Sequence, residues 1–200
     1  MRPTNSRLSA EERKHLILEA ALNVFAQKGF SGARTKEIAQ EAGVSETLLF
    51  RHFVNKENLY AEARQHLFAH HPIAEEIEPA MQAGDDREVL YIIARHIMEH
   101  VGCDERIVRL TFFSSLEGLR MAEHQSTPIQ ILEGYFAKRK QEGALQAKDP
   151  RLAARFFMFA LFLYVSDIHM NFAGSPLGII NEEAARNLAD LFMDGLVPRE

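Results

Sequence analysis

Residues 35–53 read Thr35-Lys36-Glu37-Ile38-Ala39-Gln40-Glu41-Ala42-Gly43-Val44-Ser45-Glu46-Thr47-Leu48-Leu49-Phe50-Arg51-His52-Phe53. This stretch has the spacing of a helix-turn-helix, two short helices crossing steeply through a tight turn. The crossing needs a small residue where the second helix approaches the first, and Ala39 supplies it. The turn needs a residue that tolerates positive φ, and Gly43 follows four positions later. Leu49, six residues beyond the glycine, anchors the second helix, while Ile38, Val44 and Phe53 complete a small core. Ser45 stands where an N-cap for the second helix belongs.

The flanking sequence reads as more helices. Ser9-Ala10-Glu11-Glu12 is a capping box, in which a hydroxyl and a carboxylate satisfy free amides reciprocally. Behind it Ile17, Ala20, Ala21, Val24 and Phe25 recur at helical spacing until Gly29. Asn55 caps a long helix running toward residue 70 or beyond. Further helices are expected from Asp85-Asp86 to about Val101, from Asp104 to about His124, and from Asn181 to near Gly195. Thr127-Pro128 and Asp149-Pro150 each pair a cap with proline at the first helical position, where its missing N–H costs nothing. No period-2 alternation is sustained, so the expected fold is all-α with about nine helices. The domain division is 1–55 as the helix-turn-helix domain, 56–70 as a linking helix, and 71–200 as a second helical domain, with the break near His70-His71-Pro72.

Composition narrows the function classes. The 200 residues are 46% hydrophobic and 26% charged, an ordinary globular balance. A single cysteine, Cys103, cannot staple the fold and fits a reducing, cytoplasmic setting, as a packed side chain or as a reactive thiol. The first residues lack the apolar core of a signal peptide. The most apolar run, Phe156 to Val165, spans ten residues against the roughly 20 a membrane span requires, and reads as a buried helix. The net charge of −5 is uneven: residues 1–70 carry ten Lys/Arg against eight Glu, and the rest thirteen Lys/Arg against twenty acids. A basic head on an acidic body is compatible with nucleic-acid binding.

Four segments together resemble the TetR/AcrR family signature: Phe25-Ala-Gln-Lys-Gly-Phe30, Ile38-Ala-Gln-Glu-Ala-Gly-Val-Ser45, Leu49-Phe-Arg-His-Phe53 and Asn55-Lys-Glu-Asn-Leu59. The resemblance covers residues 9–65. It implies a DNA-binding transcriptional regulator, a repressor of a palindromic operator bound as a homodimer and released by a small-molecule effector. No GxSxG, phosphate-cradling glycine loop, Cys-pair metal knuckle or Rossmann fingerprint appears, so no cofactor, metal or enzymatic activity is expected, and the short apolar run argues against a membrane partner. The second helix of the motif would enter the major groove of double-stranded DNA, placing Glu46, Thr47 and Leu48 nearest the base edges. Thr47 can reach a base or a phosphate, and Leu48 can pack on a thymine methyl. Glu46 either accepts from a cytosine amine or simply favours the helix N-terminus. His52 and Lys56 match the family's phosphate-clamping positions, Lys56 acting with the amides of the helix it begins. Arg34, Thr35, Lys36 and Arg51 are further DNA candidates, Arg51 being either a clamp or a solvated charge. The chain departs from the family at Thr47, where Gly is common, at Leu48, where Thr is common, and at Phe50, where Tyr is usual. Phe50 is expected to pack without the hydroxyl's phosphate contact.

In the C-terminal part, residues 150–172 carry two apolar stripes. One is Leu152, Phe156, Phe159, Leu163 and Asp167; the other is Ala153, Phe157, Leu161, Tyr164 and Ile168. Such a helix is covered from several directions. By resemblance to the family, the last two helices form a dimer interface, with Phe157, Leu161, Ile168, Leu188, Leu191 and Phe192 as candidates. Effector binding would then tilt the long helix that begins at Lys56. Arg109, Phe112, Phe113, Tyr135, Phe136, Phe159, Tyr164 and Asp167 are either pocket or core, since aromatics with a few polar groups describe both. His96 and His100 share a helix face beside Glu99, as metal-binding pairs do, yet no third ligand is evident. The same holds for His66, His70 and His71. The competing readings are an enzyme or carrier with a vestigial helix-turn-helix, a protein–protein adaptor, and an activator in place of a repressor.

Overall fold

The computed structural model describes residues 9–68, 73–119, 127–172, 174 and 182–195. Among them are ten helices and no strand: α1 (Ala10–Gly32), α2 (Thr35–Glu41), α3 (Glu46–His52), α4 (Lys56–Phe68), α5 (Ile73–Ala83), α6 (Asp86–His100), α7 (Glu105–Leu116), α8 (Pro128–Gln141), α9 (Pro150–Met170) and α10 (Glu182–Met193). The described residues fall into two compact units, one within Met1–His70 and Arg109–Ala122, the other within His71–Val108 and Glu123–Glu200. The residue 70–72 boundary, the expected helix end near His124 and the Asn181 helix start lie outside the described residues.

The predicted caps are present. Ser9 accepts from the Glu12 amide while Glu12 accepts from the Ser9 amide, and Thr127 with Gln130 repeats the arrangement at α8. Asp149 takes the amides of Arg151 and Leu152 in front of Pro150, and Asn55 Oδ1 takes the Asn58 amide at 2.7 Å. Gly29 has φ 69° and ψ 177°, a break in α1 after which only a short helical turn follows. The helix missing from the sequence reading is α5. It carries Pro79 in its interior, a residue that normally ends a helix because it lacks an N–H and crowds the carbonyl four residues back. Ile73, Ile77 and Ala80 bury one side of it all the same.

In the first unit Ile17, Ala21, Leu22 and Phe25 of α1, Ile38 of α2, Leu49 of α3 and Leu59 of α4 are all essentially inaccessible. Phe25 stacks edge-on to Tyr60 with ring centroids 4.9 Å apart. The second part of α7 belongs to this unit. Its Ser114 hydroxyl pairs with the Tyr60 hydroxyl at 2.7 Å, and the Glu117 carboxylate receives the amides of Phe30 and Ser31. Phe113 fills the space over Gly29, where an added Cβ would fall 2.9 Å from the ring.

The second unit is built around Val89, Leu90, Ile93 and Ala94 of α6, Leu132 and Phe136 of α8, and Phe157 and Leu161 of α9. Ala185 and Ala189 of α10 join the same core, their small side chains permitting close approach. A polar clamp ties the start of α6 to the end of α8. The Arg139 guanidinium donates to both Asp86 oxygens at 2.7 and 3.0 Å and to the Gly84 carbonyl at 3.1 Å, and the Tyr135 hydroxyl donates to Asp86 at 2.7 Å. Burial first, then the Asp86 charge, pushes the Tyr135 phenol well above its usual range.

Two expectations about α9 are reversed. Phe157 and Leu161, assigned to a dimer interface, are fully buried in the core of their own unit, whereas Leu152, Phe156, Phe159 and Leu163 are exposed. A side chain with no accessible surface in one chain cannot touch a second. The stripes are about equally apolar, so the packing of neighbouring helices decides between them. Nor is α9 wholly buried, as the ten-residue run suggested: at 21 residues it is long and apolar enough to cross a membrane by length and composition, and only one side of it is packed.

Candidate nucleic-acid interface

Helices α2 and α3 are joined by a turn whose geometry follows from Gly43, at φ 66°. The Gly43 amide donates to the Gln40 carbonyl (3.1 Å) and the Val44 amide to the Ala39 carbonyl (2.9 Å), closing α2 with its free carbonyls satisfied. Ser45 then caps α3 by accepting from the Leu48 amide at 3.2 Å. Leu49 and Phe53, one turn apart, point inward and leave the opposite side of α3 outward.

That outward side holds most of the predicted DNA residues. Glu46, Thr47 and Arg51 are exposed, and Leu48 and His52 are half-buried. At the start of α2, Arg34 and Lys36 are exposed and Thr35 is half-buried. The Thr35 hydroxyl donates to Glu46 at 2.5 Å, so the first residues of α2 and α3 are linked side by side. In this structure Glu46 thus holds the two helix starts together.

Phe50 is 44% exposed: it sits about 100° around the helix from Leu49, so it is outside the buried core and only partly covered. The spacing of Leu49 and Phe53 already contained that information. Together with Val54, 85% exposed, it puts apolar surface beside the charged residues of the head. Lys56 is half-buried with its ammonium 4.5 Å from the centre of the Phe30 ring, a cation–π contact, and its charge helps to hold the Glu117 carboxyl down.

Behind the outward helices lies a brace that sequence reasoning missed. Glu117 Oε2 receives the Phe30 amide at 2.9 Å and Oε1 the Ser31 amide at 2.8 Å, at the end of α1 just before α2 begins. Burial alone raises a carboxyl's pKa. Here the Ser31 and Phe30 bonds with the Lys56 charge outweigh it, and Glu117 sits below the ordinary range. No local pattern marks a carboxylate that bonds to amides 86 and 87 residues away.

The residues named as pocket or core fall in both units. Arg109, Phe112 and Phe113 belong to the first unit, and Tyr135, Phe136, Phe159, Tyr164 and Asp167 to the second. Phe136 is fully buried core, and Phe159 is 53% exposed on the outer side of α9, so neither is placed to line a cavity. Tyr164 and Asp167 are half-buried. Tyr135 lines a groove of about 610 Å³ between α5 and α8, with Met81 and Ile131 at its apolar side and Glu75, Glu78 and Lys138 among its polar groups.

Comparison with known proteins agrees with this head and body. Residues 17–63 match the family described as "Bacterial regulatory proteins, tetR family". An uncharacterized HTH-type transcriptional regulator of Bacillus subtilis (strain 168), YvkB, is 29% identical over 203 residues, covering 98% of each chain. Among solved structures, the fatty acid degradation regulator FadR from Bacillus halodurans superposes with a TM-score of 0.68 at 22% identity, covering 94% of this chain and 96% of that one. FadR from Bacillus subtilis in complex with stearoyl-CoA gives 0.59 at 19% identity, covering 90% and 98%. With the turn at Gly43 and the outward side of α3, residues 17–63 thus carry both the sequence match and the geometry of the tetR-family head, and the chain as a whole is similar to HTH-type transcriptional regulators.

Proposed function

We propose that this regulator is a cytoplasmic repressor that binds a near-palindromic operator as a homodimer and leaves it when a small-molecule effector binds. The observation that carries the reading is the first turn of α3. Glu46 and Thr47 are exposed and Leu48 half-buried ahead of a Leu49 anchor buried in the head, as a helix presented to a major groove requires. Arg34, Lys36, Arg51, His52 and Lys56 supply the surrounding phosphate contacts.

A second copy of the chain is the partner for the outward stripe of α9. Leu152, Phe156, Phe159 and Leu163 recur at helical spacing and are each more than half exposed, and α10 adds Leu191 at 76%. Ile168, Leu188 and Phe192 are half-buried, Leu188 and Phe192 packing against the core of the unit. A row of large apolar side chains left in water marks an interaction surface. Two-fold pairing of such a surface would present two α3 helices to successive major grooves. The Tyr135 groove between α5 and α8 lies within the volume range of small-molecule sites, and its mixture of apolar and charged groups suits an amphiphilic effector.

The experiment is a binding titration on DNA from the region upstream of the coding sequence, followed by nuclease footprinting. Protection of an inverted repeat by two chains supports the proposal; protection of a single half-site by one chain contradicts it.

A further inference from the structure

The second unit contains a group of side chains that the DNA-binding role does not use. His96 and His100 stand one turn apart on α6, their rings edge to face with centroids 4.4 Å apart. Glu76, on the neighbouring α5, completes a triad. One ligand atom from each of the three lies within 4.8 Å of the others. The sequence could not show this third member because α5 was itself hidden by Pro79.

Each member has features of a metal ligand. His96 is buried to 6% exposure, yet its Nδ1 lies 2.8 Å from Glu76 Oε1. A carboxylate can only accept, so Nδ1–H donates. The other Glu76 oxygen is held by the Arg95 guanidinium at 3.0 Å, which also reaches Glu99 at 3.1 Å. This partner fixes the carboxylate and turns Oε1 toward the imidazoles, as outer hydrogen bonds do around bound metals. His96 is buried, His100 half-buried and Glu76 exposed.

We infer that Glu76, His96 and His100 form a binding site for a divalent first-row transition ion of the zinc class, with an open coordination position for water or an exogenous ligand. Two imidazoles and one carboxylate with an open position is a ligand set that such ions accept. Ligand atoms about 2.0–2.1 Å from a tetrahedral ion lie roughly 3.3 Å apart, so modest side-chain rotation closes the triad. The entering ion takes the His96 Nδ1 position that faces Glu76, and the proton there moves to Nε2 of the same neutral ring, so none is lost. It would cross-link α5 to α6 and stabilise the second unit by mass action.

The test uses the full chain, stripped with chelator and dialysed, titrated with Co²⁺ alone and followed by visible d–d absorption. One equivalent per chain is expected, with a rise in melting temperature. His100→Ala should abolish the signal and Glu76→Gln should weaken binding at least ~10-fold. His15→Ala serves as the control, because His15, Glu19 and His66 form a separate, more exposed cluster in the first unit. Should His100→Ala fail to fold without metal, the Glu76→Gln titration decides. The inference is overturned by an absence of saturable binding, by binding that survives Glu76→Gln unchanged, or by a signal lost in His15→Ala and kept in the triad variants. None of these results bears on operator binding, which is tested separately.

Discussion

Glu117 accepts the Phe30 amide at 2.9 Å and, through its other oxygen, the Ser31 amide at 2.8 Å, so a residue just past α7 holds the end of α1. Hydrogen bonds to a charged acceptor contribute about 1.5–3 kcal/mol, and losing this acceptor leaves two amides seeking partners. Glu117→Ala should therefore destabilise the first unit by roughly 2–3 kcal/mol at pH 7 in denaturant unfolding. Its carboxyl is held below the ordinary range, so the stabilisation is present above the unfolded pKa of about 4.3 and fades as pH falls through the lower folded value. Parent and variant should converge in stability in acid; a difference that persists or widens there would refute the charged-acceptor account.

Gly29 meets the same brace from the other side. Its φ of 69° with ψ 177° belongs to backbone space that is essentially glycine's alone, and an added Cβ would lie 2.9 Å from both Phe113 Cδ1 and Glu117 Oε1. Gly29→Ala is expected to cost about 2–4 kcal/mol, combining strain with displacement of the Phe113 ring. Thermal unfolding checks it, and a neutral substitution would mean that the bend at the end of α1 is not required.

Phosphate contacts add affinity without reading sequence. Lys56→Ala and His52→Ala should each weaken binding to operator and to random duplex by similar factors. For Lys56→Ala the slope of log K against log salt should fall in magnitude by about 0.9, one phosphate's worth. Fluorescence anisotropy across a salt series measures both quantities. Loss confined to the operator would instead make these residues base readers, and no loss would leave Lys56 as a packing partner of Phe30 only.

The outer side of α9 predicts its own disruption. Phe156 is 62% and Leu163 52% exposed, so Leu163→Glu or Phe156→Glu should change the stability of an isolated chain by only about half a kcal/mol. Within a paired apolar surface the same carboxylate would lie buried and unpaired, at a cost of several kcal/mol. Sedimentation at micromolar concentration should show a folded monomer for either variant and a dimer for the parent. Variants that sediment as the parent does would place the interface elsewhere.

These residues also show where sequence is informative. The head was legible because its constraints are local: Ala39, Gly43, Ser45 and Leu49 sit at fixed offsets that few other structures need. Caps were legible for the same reason, as at Ser9, Thr127 and Asp149. Helix α5 was not, since Pro79 is tolerated there only because Ile77 and Ala80 find burial. With α5 went Glu76, and with Glu76 the third member of the His96–His100 group. The stripes of α9 could be listed but not assigned, because periodicity says that two sides are apolar and not which helix lies against each. Glu117 gave no signal, its partners lying more than eighty residues away.

The most direct test of the account is the stoichiometry and symmetry of the DNA complex. Analytical ultracentrifugation of the chain with its footprinted operator, paired with hydroxyl-radical footprinting, reports both. Two chains on an inverted repeat, with half-sites about one helical turn apart, is the expected result, and affinity for that repeat should drop when Thr47 and Leu48 are replaced by alanine. One chain per site, or binding indifferent to changes at Thr47 and Leu48, would contradict groove reading by paired α3 helices.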